Sequence, residues 1–267
     1  PVTRMNASRR LPGARRKART ATTMTKIGFL SDIHANHAAL RAVLSKLDDE
    51  ACDILICLGD IVGYGPSPTE CVQSIREREI PTVLGNHDQY VTLLLNPRME
   101  KLREDVRVSI EWTQSRLSMD DLKWLSQRPM RIDAEDFSVV HGAFGPKPWV
   151  YCANEKSLIH NFTYQDVPIG FCGHSHVPIM ALDRGELAPA LDYLHTMPLP
   201  EAPKAMVNVG SVGQPRDRDP RACCVIYELE TRKVTLFRVP YDVEDTQARI
   251  RSAGLPDAFA ERLSQGR

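Results

Sequence analysis

Five short segments of this 267-residue chain combine carboxylate, imidazole and amide side chains with glycine. They are Asp32-Ile33-His34, Gly59-Asp60, Gly85-Asn86-His87-Asp88, His141-Gly142 and Gly173-His174-Ser175-His176. Five of the chain's eight histidines lie in them, which is hard to attribute to turn chemistry alone. A donor set of imidazole nitrogen with carboxylate and amide oxygen suits borderline first-row ions such as Mn, Fe or Zn. It suits neither an all-oxygen calcium site nor a thiolate zinc site. The ligands suffice for two ions roughly 3.5–4 Å apart if one carboxylate bridges them. Two divalent ions, two carboxylates and one hydroxide leave a charge of roughly +1, which attracts a phosphate and still holds a nucleophile at neutral pH. Phosphate ester hydrolysis at a dinuclear site is the chemistry this set favours.

Each segment follows an apolar run that must position it. Ile27–Leu30, Ile54–Leu58, Ile80–Leu84, Phe137–Val140 and Ile169–Cys172 read as short strands, so the polar residues stand at strand ends, where open α/β sheets place their sites. In extended backbone, residues i and i+2 point the same way, so Asp32 would share a face with His34, and His174 with His176. Helices are expected at 38–47, at 69–79 after Pro66-Ser67-Pro68, and at 245–263 with a break at Gly254-Leu255-Pro256. Residues 91–128 have helical spacing and no strand pattern, and read as a helical insertion. Further strands are expected at 179–182, 205–209, 223–227 and 234–237, spaced like antiparallel meanders. An α/β half followed by a β-rich half implies two packed sheets with helices outside.

Composition narrows the class. Hydrophobic residues make up 42% and charged residues 25%, an ordinary globular balance. No apolar run is long enough to span a membrane. Seven cysteines, odd in number and without a C-x-x-C pair, fit reduced thiols in a cytoplasmic protein better than a disulfide framework. The net charge of zero hides an asymmetry: residues 1–23 hold seven basic residues and no acid, leaving 24–267 about seven charges negative. That acidic body argues against nonspecific nucleic-acid binding. The expected organisation is a disordered basic extension over 1–23 and one domain over 24–267, with Met24 as a natural start.

The ordered series Asp-x-His, Gly-Asp, Gly-Asn-His-Asp, His and Gly-His-x-His resembles the signature of the calcineurin-like metallophosphoesterases, over about residues 25–241. The resemblance implies a four-layer α/β/β/α sandwich of two mixed sheets. It implies that Asp32, His34, Asp60 and His176 hold one metal, and that Asp60 (bridging), Asn86, His141 and His174 hold the other. A hydroxide between the two ions would attack phosphorus in line. His87 would protonate the leaving oxygen, with Asp88 orienting it. Phosphoprotein phosphatases and symmetrical diadenosine tetraphosphate hydrolases of the family follow Gly-Asp with an Asp-Arg-Gly loop. Here the loop is Ile61-Val62-Gly63-Tyr64-Gly65-Pro66, without the phosphate-binding arginine. Loss of that contact should weaken dianionic monoesters more than monoanionic diesters. The chain resembles the small bacterial and archaeal phosphodiesterases more closely, also at Asn208-Val209-Gly210-Ser211. A diesterase acting on a small phosphate ester is therefore expected; a phosphomonoesterase acting on phosphoproteins or dinucleoside polyphosphates, or a noncatalytic scaffold on the same fold, are the alternatives. Arg216 is a candidate replacement for the missing arginine, and Tyr64 and Tyr90 are candidates to stack on a base or aryl group.

Overall fold

The structure is a computed structural model that describes residues 9–10, 24–93, 102–186 and 188–267. The order of elements is β1 Arg9–Arg10, β2 Lys26–Leu30, α1 His37–Asp49, β3 Ile54–Cys57, α2 Pro68–Glu77, α3 Asn86–Thr92, α4 Glu104–Arg116, α5 Met119–Ser126, β4 Arg131–Asp133 and β5 Phe137–Val140. There follow α6 Glu155–Tyr164, β6 Ile169–Cys172, β7 Ile179–Asp183, β8 Ala190–Tyr193, β9 Met197–Pro198, β10 Lys204–Asn208, β11 Ala222–Glu228, β12 Lys233–Val239, α7 Val243–Ser252 and α8 Asp257–Gln265. One mixed sheet has the order β3-β2-β11-β12-β9, and the other β1-β4-β5-β6-β10-β7-β8. Within residues 1–23 only the Arg9–Arg10 backbone is described, as a strand parallel to β4. The rest of the expected basic extension lies outside the described residues, as do 94–101 of the expected helical insertion.

The period of two along each strand builds the layers. On β2 and β11, Ile27, Phe29, Val225 and Tyr227 point between the sheets; on β6 and β10, Ile169, Phe171, Ala205 and Val207 do the same. Phe29 stacks on Phe171 with ring centroids 4.1 Å apart, and Phe137 meets both rings edge-on. The alternate residues face outward. Leu30, Cys224 and Ile226 pack under Leu40, Val43, Leu44 and Leu47 of α1 and Val72 and Ile75 of α2. Cys172 and Met206 pack under Leu158 and Phe162 of α6. The result is the α/β/β/α sandwich of two mixed sheets that the resemblance implies.

Local signals account for the helix starts. The Asn36 side chain accepts a hydrogen bond from the Ala39 N–H at the head of α1, and Pro68 opens α2, where its missing N–H costs nothing. Ser118 caps α5 through the Asp121 N–H. The expected strand at 80–84 is a single bridge, Cys57 to Thr82. Pro81 has no N–H to give, so the segment makes only two hydrogen bonds to Cys57 before Leu84 turns to the Pro129 carbonyl. Gly85-Asn86-His87-Asp88 is accordingly not a strand end: Gly85 precedes α3, and the other three residues form its first turn. The cysteines are free thiols, all buried except the half-buried Cys52. Among the described residues no helix is long and apolar enough to cross a membrane.

Candidate metal centre

The C-terminal ends of β2 and β3 in one sheet and of β5 and β6 in the other converge on one point. Backbone hydrogen bonds join them: Asp32 N–H to the Gly59 carbonyl, His34 N–H to the Asp60 carbonyl, and Gly173 N–H to the His141 carbonyl. The loop after β10 closes against them, with Gly213 N–H on the Asp32 carbonyl. Extended alternation does not explain the aim of the side chains. Asp32, His34, Asp60, His174 and His176 all have φ between 47° and 66°. Five side-chain-bearing residues in the left-handed region are costly and persist only where the surroundings determine them. Here that backbone turns each side chain inward at once instead of letting it follow the strand.

Asp32, His34, Asp60, Asn86, His87, His141, His174 and His176 are all buried and all meet here. Three groupings have ligand atoms mutually within 4.8 Å: Asp32, His34 and His176; His34, Asp60 and His87; and Asp60, His141 and His174. Asp60 belongs to two of them. Its Oδ2 lies 3.3 Å from His141 Nε2 and 3.6 Å from His34 Nε2, while its Oδ1 accepts the His87 N–H at 2.8 Å. Asn86 Oδ1 lies 3.2 Å from His141 Nε2.

The tautomers follow from the outer contacts, because a carbonyl only accepts. His34 Nδ1 donates to the Val62 carbonyl at 3.1 Å, His141 Nδ1 to Leu58 at 2.7 Å and His176 Nδ1 to Gln214 at 2.6 Å. His174 is reversed, with Nε2 donating to the Trp149 carbonyl at 3.2 Å. The remaining nitrogens therefore face inward. His34 Nε2 stands 3.1 Å from His176 Nε2, and His141 Nε2 stands 3.1 Å from His174 Nδ1. Between the neutral His34 and His176, lone pair against lone pair at that distance is repulsive without a cation between. Asp32 Oδ1 is buried without a hydrogen-bond partner in the same space, 3.3 Å from His176 Nε2. The donor set and its inward lone pairs fit two metal ions, with imidazoles oriented by carbonyls as metal-ligating histidines usually are.

Charges agree with this. Burial works against the Asp32 and Asp60 carboxylates, yet the surrounding imidazoles hold both well below the ordinary range. Burial pushes His34 and His176 down, and His174 to about 3, leaving neutral ligands at pH 7. His141 differs: burial opposes its charge, but Asp60 and Asp32 outweigh it and lift the group to about 9.

Asp88 does not orient His87. Its Oδ1 accepts the Ile61 and Val62 N–H groups and its Oδ2 accepts the Gly85 N–H, so the carboxylate is spent on shaping the loop and the head of α3. His87 Nδ1 is buried without a partner. The ring is steered by packing instead: Tyr64 at 4.5 Å, His34 edge-on at 4.9 Å and Tyr90 at 5.9 Å between centroids. Gly63, at φ +88°, leaves the room; a Cβ there would sit 2.6 Å from His87 Nδ1.

A cleft of about 570 Å³ opens over this centre. Tyr64, Tyr90 and Arg216, all expected near substrate, line it together with Asn86, His87 and His174. Other lining residues had no motif to announce them: Trp149, Tyr151, Arg103 and Arg262. Tyr151 stacks flat on His174 at 4.2 Å. The only signals for Trp149 and Tyr151 are their places in the loop after His141.

The Calcineurin-like phosphoesterase superfamily domain model matches residues 25–232. The chain belongs to that superfamily, a class of phosphoester hydrolases built around a dinuclear metal site. It is 35% identical over 246 residues to an uncharacterised protein of Methanocaldococcus jannaschii, covering 90% of this chain and 98% of the relative. Among solved structures, a metallophosphoesterase from Sphaerobacter thermophilus superposes with a TM-score of 0.78 at 37% identity, over 92% of this chain and all of that one. A symmetrical bis(5'-nucleosyl)-tetraphosphatase of Aeromonas salmonicida is 28% identical over 163 residues, 54% of this chain and 58% of its own length.

Proposed function

We propose that this protein hydrolyses phosphodiesters with two ions drawn from Mn, Fe and Zn. Asp32, His34, Asp60 and His176 would hold one, and Asp60, Asn86, His141 and His174 the other. The observation that carries the reading is the set of four buried imidazoles whose outer nitrogens are fixed by main-chain carbonyls and whose inner nitrogens meet around Asp32 and Asp60. When bound, the ions supply Lewis-acid polarisation of the phosphoryl oxygens and an acidified water.

The protein's own groups divide the remaining work. Asn86 is a neutral ligand, which leaves more positive charge for the phosphate than a third carboxylate would. Burial holds His87 near 4 in the free protein, so it is neutral at pH 7. An anionic phosphoryl group docking beside it raises its proton affinity, and the ring then delivers a proton to the leaving oxygen. The 61–66 loop places Tyr64 against His34 and His87 and offers no guanidinium of its own, which favours a singly charged diester.

The test is a panel of monoesters, diesters, cyclic nucleotides and dinucleoside polyphosphates with Mn, Fe and Zn supplied separately. Bis(p-nitrophenyl) phosphate should turn over faster than p-nitrophenyl phosphate. His87→Ala should bind metal normally yet lose about 10²–10⁴-fold on poor leaving groups, and far less on nitrophenolate. Fully loaded protein that is inactive on every ester would sink the reading, and faster monoester turnover would reverse the preference.

A further inference from the structure

Two guanidinium groups at the mouth of the cleft share one acceptor. Arg216, on the β10–β11 loop that closes the metal centre, donates from Nη2 to Gln214 Oε1 at 2.9 Å. Arg262, from α8, donates from Nη1 to the same oxygen at 3.2 Å. Each guanidinium also lies 6.0 Å from the ring of Tyr64, the residue that packs on His34 and His87. Gln214 is buried, and its position is fixed at both ends: its N–H donates to Ser211 Oγ and its carbonyl accepts from His176 Nδ1. Arg262 is held over Phe259 at 5.3 Å, in the cluster that packs α7 and α8 beside Tyr64. Among the described residues neither guanidinium forms an ion pair. Asp105, the one acidic side chain among the described residues lining the cleft, is paired with Arg103 at 2.7 Å.

A neutral amide oxygen satisfies two donors but leaves two like charges side by side. Such a pair is a receptor for an anion with several acceptor oxygens, and forked guanidiniums suit a phosphate better than a point charge does. On the proposed function the scissile phosphate would lie at the metal centre, one tyrosine ring away. We propose that Arg216 and Arg262, joined by Gln214, form a subsite for a second phosphoryl group of the same substrate. The substrate class is then a nucleotide-like ester or anhydride with at least two phosphoryl groups, and Tyr90 and Trp149 line the same cleft where its base would lie. The second-phosphate assignment rests on the proposed phosphoesterase reading only for the identity of the first.

Calorimetric titration of the manganese-loaded protein with adenosine 5'-monophosphate and with adenosine 5'-(α,β-methylene)diphosphate tests it. The wild type should bind the diphosphate analogue about 10- to 100-fold more tightly, the range of one or two charge-assisted contacts. Arg216→Gln and Arg262→Gln should each lose about tenfold of that preference, and Arg262→Lys should keep part of it. The two arginines sit on different elements, so a folding defect in one variant leaves the other to decide, with thermal melts as the check. Equal binding of the two nucleotides by the wild type, or an undiminished preference in both Gln variants, overturns the subsite. A preserved preference in a protein inactive on every ester would sink the hydrolase reading and leave the subsite standing.

Discussion

Loading the centre with metal should expel a proton from His141. In the metal-free protein His141 Nδ1 donates to the Leu58 carbonyl, and Asp60 and Asp32 lift the group to about 9, so at pH 7.5 Nε2 also carries a proton. A metal ion needs that nitrogen's lone pair, so binding releases about one proton, and apparent affinity should rise about tenfold per pH unit up to 9, then level off. Stability follows the same group. A histidine raised from 6.5 to about 9 contributes stability that is fully present below 6.5 and is lost as pH rises through 9. Between pH 7.5 and 9.5 the metal-free protein should lose about 2 kcal/mol through this group, or about 4–8 °C in Tm. The buried thiols add a further loss in both forms, because burial pushes groups such as Cys152 and Cys223 up from 9.0 to about 12. The share of His141 is therefore the difference between metal-free and loaded protein. Calorimetry of manganese binding in buffers of different ionisation enthalpy counts the proton, and melts of chelator-treated protein read the stability. No release at pH 7.5, unchanged release in His141→Gln, or melts with the same pH dependence with and without metal would refute the reasoning.

Gly63→Ala would place a Cβ 2.6 Å from His87 Nδ1 in a backbone at φ +88°. It should cost about 1–2 kcal/mol in urea unfolding and should slow esters with poor leaving groups more than nitrophenyl esters. Equal slowing of both would show that His87 is not the group displaced. Phe171→Ala removes a fully buried ring stacked on Phe29 between the sheets. A loss of about 3–5 kcal/mol is expected from urea curves, with kcat retained well below the melting temperature.

The strand–helix alternation was readable because the sandwich buries both faces of its central strands, leaving apolar runs such as 222–227 and Ile169–Cys172. Elements outside that pattern were missed. Strand β8 is exposed along its length at a sheet edge, and α6 buries little beyond Leu158 and Phe162, so neither imposes a strong period. The ligand residues stood out by chemical type, but the reason they converge did not. Local extended geometry would have paired Asp32 with His34, whereas the left-handed backbone at both is a product of tertiary hydrogen bonds. The resemblance implies that Asp88 orients His87, and only the folded loop shows three amides claiming the carboxylate. Arg262 was invisible for a simpler reason: nothing local connects a polar position on the last helix with a loop beginning at Ile61.

The imidazoles of the centre take their orientation from main-chain carbonyls of Leu58, Val62, Trp149 and Gln214. A carbonyl is the same whatever side chain its residue carries, so point substitutions around the centre cannot easily rewrite the protonation pattern of the ligands. The mouth of the cleft is built the opposite way, from side chains of α3, α4, α8 and three loops. Descendants of this scaffold can therefore drift in what they recognise while inheriting the reactive centre nearly unchanged.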